Sequence, residues 1–147
     1  MTNILADKLT YFRNPNFKKK KRYSANRNPH IGENALSIEI ANYLKAKTLT
    51  GELFGTWTKI AHETSSSSLE YGILMRNMGK NSGAADFIFV TDKSHLWLEL
   101  KVNEKSKMQP SQVFFKNWCQ EQKCNYFVVT SLKDAIECLL AHGIVRA

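Results

Sequence analysis

The stretch GAADFIFVTDKSHLWLELK, residues 83–101, decides how the chain folds. Its apolar runs ADFIFVT and HLWLELKV are separated only by DKS, a spacing that predicts an antiparallel hairpin of two central strands. Strand side chains alternate between faces, so Glu99 and Lys101 share one face while Leu98 and Leu100 project from the other. Burying a carboxylate and an ammonium in an apolar strand costs on the order of several kcal/mol per ion unless each is compensated. Asp86 stands at the entry to the first strand, directly after Gly83, Ala84 and Ala85, and the hairpin brings it near Glu99.

Upstream, Leu36, Ile40, Tyr43 and Leu44 recur at helical spacing in GENALSIEIANYLKAK, predicting an amphipathic helix from Glu33 that stops near residues 48–51. LFGTWTKIA, residues 53–61, alternates as a strand; HETSSSS is a polar loop, and LEYGILMRNMGK is a short helix closed by Gly79. Downstream of the loop NEKSK, Pro110 suits the first turn of a helix through SQVFFKNWCQEQK, with Phe114, Phe115 and Trp118 expected in the core. NYFVVT is a further buried strand, and Ser131 with Asp134 caps a last helix, DAIECLLAH, that Gly143 ends. The order implies an α/β fold, a central mixed β-sheet flanked by helices, because each amphipathic helix needs a sheet face to cover.

At 147 residues the chain suits one domain, and 43% hydrophobic with 23% charged residues is a globular balance. No apolar run approaches the roughly 18 residues of a membrane span. The N-terminal sequence MTNILADKLTYFRNPNF lacks the layout of a secretory signal, and Cys119, Cys124 and Cys138 form no CxxC pair, so a cytoplasmic protein with reduced thiols is expected. The net charge of +8 is unevenly placed. Residues 13–27 take seven of the 21 bases and none of the 13 acids, so the rest of the chain carries only +1. Residues 1–30 thus read as a basic arm, in which Lys18, Lys19, Lys20, Lys21 and Arg22 seek phosphate without reading sequence.

Two carboxylates converging at a strand pair beside a lysine form an oxygen-donor site for a hard divalent cation such as magnesium. A protonated lysine cannot ligate. Its work would be to orient the attacking water or to offset charge developing on a phosphate, chemistry suited to phosphodiester hydrolysis. A purely structural ion pair is the alternative reading of Glu99 and Lys101.

The run G-x-x-Asp86-F-I-F-V, thirteen residues on to Glu99-L-Lys101, then P-S-Gln112 opening a helix, resembles the PD-(D/E)XK nuclease superfamily and, within it, the VRR-NUC family. The helix from Glu33, IAHETSSSS and GILMRNMGKNSGAAD resemble its small stand-alone phage and bacterial members, so the resemblance covers about Glu33 to Gly143. It implies a restriction-endonuclease-like core over residues 31–147, with the arm outside. It also implies that Asp86, Glu99 and the Leu100 backbone carbonyl hold Mg2+, for which Mn2+ substitutes. Lys101 takes the place of the motif lysine, Gln112 supports the lysine or the water, and Glu33 approaches the metal directly or through water. Ala85 departs from the family, which usually has proline before the aspartate.

The function so implied is a metal-dependent DNA endonuclease, acting on branched, junction or nicked structures, from a homodimer in a bacterial or phage-infected cell. A non-catalytic nucleic-acid-binding module that keeps the fold and uses the arm with Lys105 and Lys107 is the alternative. Each residue also has a plainer reading. Glu33 at a helix start favours the dipole by about 0.3 to 1 kcal/mol, Gln112 could be an exposed helix residue, and His62 and Glu63 could be solvated loop residues. Trp97, on the face of Glu99, is read as packing.

Overall fold

The structure, a computed structural model, describes residues 31–60 and 68–147. The expected arm of residues 1–30, including Lys18, Lys19, Lys20, Lys21 and Arg22, lies outside the described residues, as do His62 and Glu63. Eight elements follow one another: α1 (Ile31–Thr50), β1 (Thr56–Lys59), α2 (Leu69–Asn77), β2 (Phe87–Val90), β3 (His95–Leu100), α3 (Pro110–Glu121), β4 (Asn125–Val129) and α4 (Leu132–Ala141). The four strands form one sheet in the order β1-β2-β3-β4. β1 pairs with β2 and β2 with β3 antiparallel, while β4 joins β3 in parallel after the α3 crossover, so the sheet is mixed as expected.

Alternation along the strands sorts the core into two layers. Phe87, Phe89, Leu96, Leu98, Leu100 and Val129 meet Leu36, Ile40 and Leu44 of α1 and Ala135 and Leu139 of α4 in the larger cluster. Each fully buried leucine, isoleucine or phenylalanine here contributes about 1.5–3 kcal/mol. On the opposite face a smaller cluster gathers Ala84, Ala85, Phe115, Cys119 and Tyr126, with Trp97 packed against it. The three cysteines are free thiols. Burial pushes the Cys138 thiol up to about 11.

Three expectations need correction. NYFVVT, expected as a buried strand, forms the edge strand β4, with Phe127 and Val128 exposed. The strand expected over residues 53–61 is only Thr56–Lys59, with Leu53 in an isolated bridge to Val145. Gly55 is the reason: it takes a φ of 75° and lies so close to the Val90 carbonyl that a Cβ would stand 2.0 Å from the oxygen. The left-handed residue breaks the extended run before β1. Phe114 and Trp118, expected in the core, are 71% and 44% exposed. A helix turns only one stripe to a sheet, and in α3 that stripe is Phe115 and Cys119, one turn apart. Trp118 instead packs edge-on against Phe115, ring centroids 6.1 Å apart.

The capping signals hold. Ser131 Oγ accepts the Asp134 backbone N–H at 3.1 Å, and Thr130 Oγ1 donates to Asp134 Oδ2 at 3.1 Å. The bonds to Ser131 and then Thr130 hold the Asp134 carboxyl below the usual aspartate range. A depressed folded-state pKa gives a contribution that is complete above the unfolded value and is lost as pH falls through the folded one. The stability advantage of the native chain over Asp134→Asn is therefore expected to narrow on acidification, as urea denaturation across pH 2 to 7 would show. Ser131→Ala is expected to cost about 1 kcal/mol in the same assay at neutral pH.

Candidate active site

The hairpin register runs Phe87 opposite Leu98, so the next pair outward sets Asp86 opposite Glu99. Both lie on the face away from the larger core, where Ile88 and Trp97 are the preceding pair. β2 ends here, and the Asp86 carboxylate continues the ladder in place of backbone: its Oδ2 accepts the Leu100 N–H at 2.8 Å. Strand geometry places a residue's N–H and C=O on one edge. The Leu100 carbonyl is therefore turned toward the Asp86 side, while the Leu100 side chain is buried in the core.

Lys101 follows β3 directly, held by its N–H to the Val129 carbonyl at 3.0 Å, and it is only 7% exposed. Its Nζ lies 3.0 Å from Glu99 Oε1 and donates to Gln112 Oε1 at 3.1 Å. Glu99 is 1% exposed, so the pair is desolvated and its attraction little screened. Gln112 Nε2 donates to the same Glu99 oxygen at 2.5 Å. Gln112 Oε1 accepts a second bond, from the Gln109 N–H at 2.9 Å, at the position where α3 begins. With two donors facing its oxygen and a carboxylate facing its nitrogen, the amide has one sensible orientation.

What sets Gln112 in place is a close backbone approach. A Cβ on Gly83 would stand 1.9 Å from the Ser111 carbonyl and 2.8 Å from the Gln112 N, so the turn leading to Asp86 is packed directly on the first turn of α3. Glu33, in the first turn of α1, reaches Lys101 Nζ at 4.0 Å and is partly exposed. The structure thus brings together Glu33, Asp86, Glu99, Lys101 and Gln112. Lys105 and Lys107 lie apart from them as exposed residues of the loop after Lys101.

Asp86 and Glu99 are hard oxygen donors of the kind Mg2+ takes, with the Leu100 carbonyl on the same edge. Among the described residues no group of three His, Cys, Asp or Glu side chains is placed to hold a metal, so a cation here would complete its shell largely with backbone and water. Magnesium, which keeps several waters, suits such a sparse set.

No family model matches the sequence, and no curated protein matches it. Among solved structures, a VRR_NUC domain protein is similar to this chain with a TM-score of 0.57 and 15% identity, over 80% of this chain and 98% of that one. The chain has the VRR_NUC fold. The sequence resemblance therefore holds for the architecture. In this VRR_NUC fold the hairpin register, the β3 end and the start of α3 converge on one corner of the sheet. Sequence reasoning missed three contributors to it. Gln109 supplies the N–H that aligns Gln112, Gly83 sets the approach of α3, and Tyr126 falls on the face of Glu99 once β4 is known to run parallel to β3.

Two stability effects follow. Gly83→Ala is expected to lower unfolding free energy by about 1–3 kcal/mol through overpacking of backbone on backbone. Lys101→Met is expected to cost about 3–5 kcal/mol, because it strands a buried carboxylate. The double variant Lys101→Met/Glu99→Gln should lose less than the single, measured by urea denaturation without added cation.

Proposed function

We propose that the chain is a divalent-cation-dependent endonuclease that hydrolyses phosphodiester bonds in DNA. The observation that carries this reading is the Lys101 ammonium, desolvated between Glu99 and Gln112, next to a strand pair that sets Asp86 opposite Glu99. A structural role alone explains this poorly, since a well-packed apolar set of similar volume is often as stable as a buried ion pair or more so. The likeness to a VRR_NUC domain protein supports a nuclease-type domain.

In this reading Asp86, Glu99 and the Leu100 carbonyl hold Mg2+, or Mn2+ in its place. The bound cation supplies Lewis-acid polarisation of the phosphate and lowers the pKa of water. Lys101 orients the attacking water and offsets charge on the phosphate oxygens, held on course by Glu99 and Gln112. Gln112 passes the order of α3 to the lysine, and Glu33 approaches from α1 to contact the cation directly or through water. Exposed Lys105 and Lys107, with Lys18, Lys19, Lys20, Lys21 and Arg22 of the arm, provide phosphate attraction that strengthens binding without choosing a sequence. The chain acts as a homodimer, which offers two sites to a branched, junction or nicked substrate. Among the described residues no helix is long and apolar enough to cross a membrane, and three free thiols suit the cytoplasm of a bacterial or phage-infected cell.

The test is cleavage of supercoiled plasmid and of a synthetic four-way junction with Mg2+, Mn2+ or EDTA. The native chain is expected to cut both with either cation and neither in EDTA, and Asp86→Ala and Lys101→Ala to slow cleavage by about 10²–10³-fold. Cleavage that survives EDTA, or variants as active as the native chain, would sink the assignment. Light scattering is expected to give twice the 16.8 kDa chain mass. Removing residues 1–30 should weaken DNA binding and flatten its dependence on salt, with the cleavage rate on saturating DNA retained.

A further inference from the structure

Among the described residues, the Tyr126 hydroxyl is a buried polar group that neither the ion pair nor the core packing satisfies. Tyr126 stands opposite Trp97 in the parallel β3–β4 pair, where Glu99 is opposite Val128. Alternation therefore sets it on the face of Glu99, as a diagonal neighbour within reach of a long aromatic side chain. Its ring belongs to the smaller core cluster, 6.3 Å from the Phe115 ring, together with Ala84 and Ala85, the two residues that lead into Asp86. The residue is 9% exposed, and its hydroxyl has no hydrogen-bond partner among the described residues. A buried hydroxyl without a partner costs about 1–3 kcal/mol, and phenylalanine would fill the same space without that cost. Such a group calls for an acceptor that the described residues do not supply.

We propose that Tyr126 is a positioning residue of the carboxylate site, its hydroxyl donating a hydrogen bond to a water molecule held at the Asp86–Glu99 pair. The inference rests on the cation-binding reading given above and extends it to a residue on the third strand of the site. Burial limits the acceptor to something small, since a phosphate group could not reach a hydroxyl so enclosed. A tyrosine phenol is protonated at neutral pH, so the hydroxyl acts as a donor. In such a role the phenol would orient a water at the carboxylates, and its loss would loosen cation and water together.

The experiment titrates Mn2+ into the native full chain, Tyr126→Phe and Asp86→Ala, reading the dissociation constant by calorimetry and the tyrosine absorbance difference on cation addition. Tyr126→Phe is expected to bind Mn2+ about tenfold more weakly. It should also lose the cation-dependent absorbance difference that the native chain shows. In EDTA its thermal unfolding should match or exceed that of the native chain, because only an unpartnered hydroxyl has been removed. Asp86→Ala is expected to bind no Mn2+. If Asp86→Ala loses binding while Tyr126→Phe matches the native constant and keeps the absorbance difference, the role of Tyr126 is overturned and the cation site stands. A Tyr126→Phe chain that melts lower in EDTA overturns it too, since the hydroxyl would then have a partner within the protein. A native chain that binds no Mn2+, or binds it no better than Asp86→Ala, overturns the cation site and this inference together.

Discussion

The buried ammonium of Lys101 dictates what the surrounding chain must supply. An isolated charge at that depth would be driven to neutralise, so acceptors have to be brought to it, and they come from two different elements: Glu99 from the same strand and Gln112 from α3. The second acceptor is useful only if its amide cannot flip, which is why the Gln109 N–H at the helix start matters. That helix start is in turn placed by contact with Gly83, and Gly83 leads the chain back into Asp86. The requirement is thus a closed circuit, in which each member is positioned by the next.

The two sheet faces divide the labour. On one, alternating residues of β2 and β3 meet α1 and α4 in a mainly apolar layer, where the buried Ser37 hydroxyl accepts from Lys59 Nζ, and most of the favourable burial is found there. On the other, α3 packs Phe115 and Cys119 against Ala84, Ala85 and Tyr126, and its first turn carries Gln112 to the charged groups. The α1 helix links the faces, since its buried stripe belongs to the first layer while Glu33 at its start reaches the lysine.

The hairpin, the face assignment of Glu99 and Lys101 and the capping of α4 were legible because each depends on residues close in sequence. The meeting of Glu99, Lys101 and Gln112 was legible through the family resemblance. What escaped depended on tertiary contact. Nothing local distinguishes Phe114 from Phe115 as the inward residue, because the choice depends on where the helix axis lies over the sheet. The shortening of β1 comes from the approach of Gly55 to Val90, two residues distant in sequence. Tyr126 joins the site face only through the parallel register of β4, and a sequence pattern carries no information on register between strands separated by a helix.

The loop from Val102 to Met108 leaves the end of β3 and returns at the start of α3, both of which are fixed independently of it. Lys101 is pinned by the Val129 carbonyl and its two acceptors, and the first turn of α3 by Gly83, so the intervening turns bear no part of that alignment. Two tempos of divergence can therefore coexist within one chain. The corner that holds the charged groups tolerates little change, whereas the neighbouring loop, with its exposed Lys105 and Lys107, is free to lengthen, shorten or change sign. Relatives that share the architecture at low identity can diverge most in that loop, while leaving the charged corner where it is.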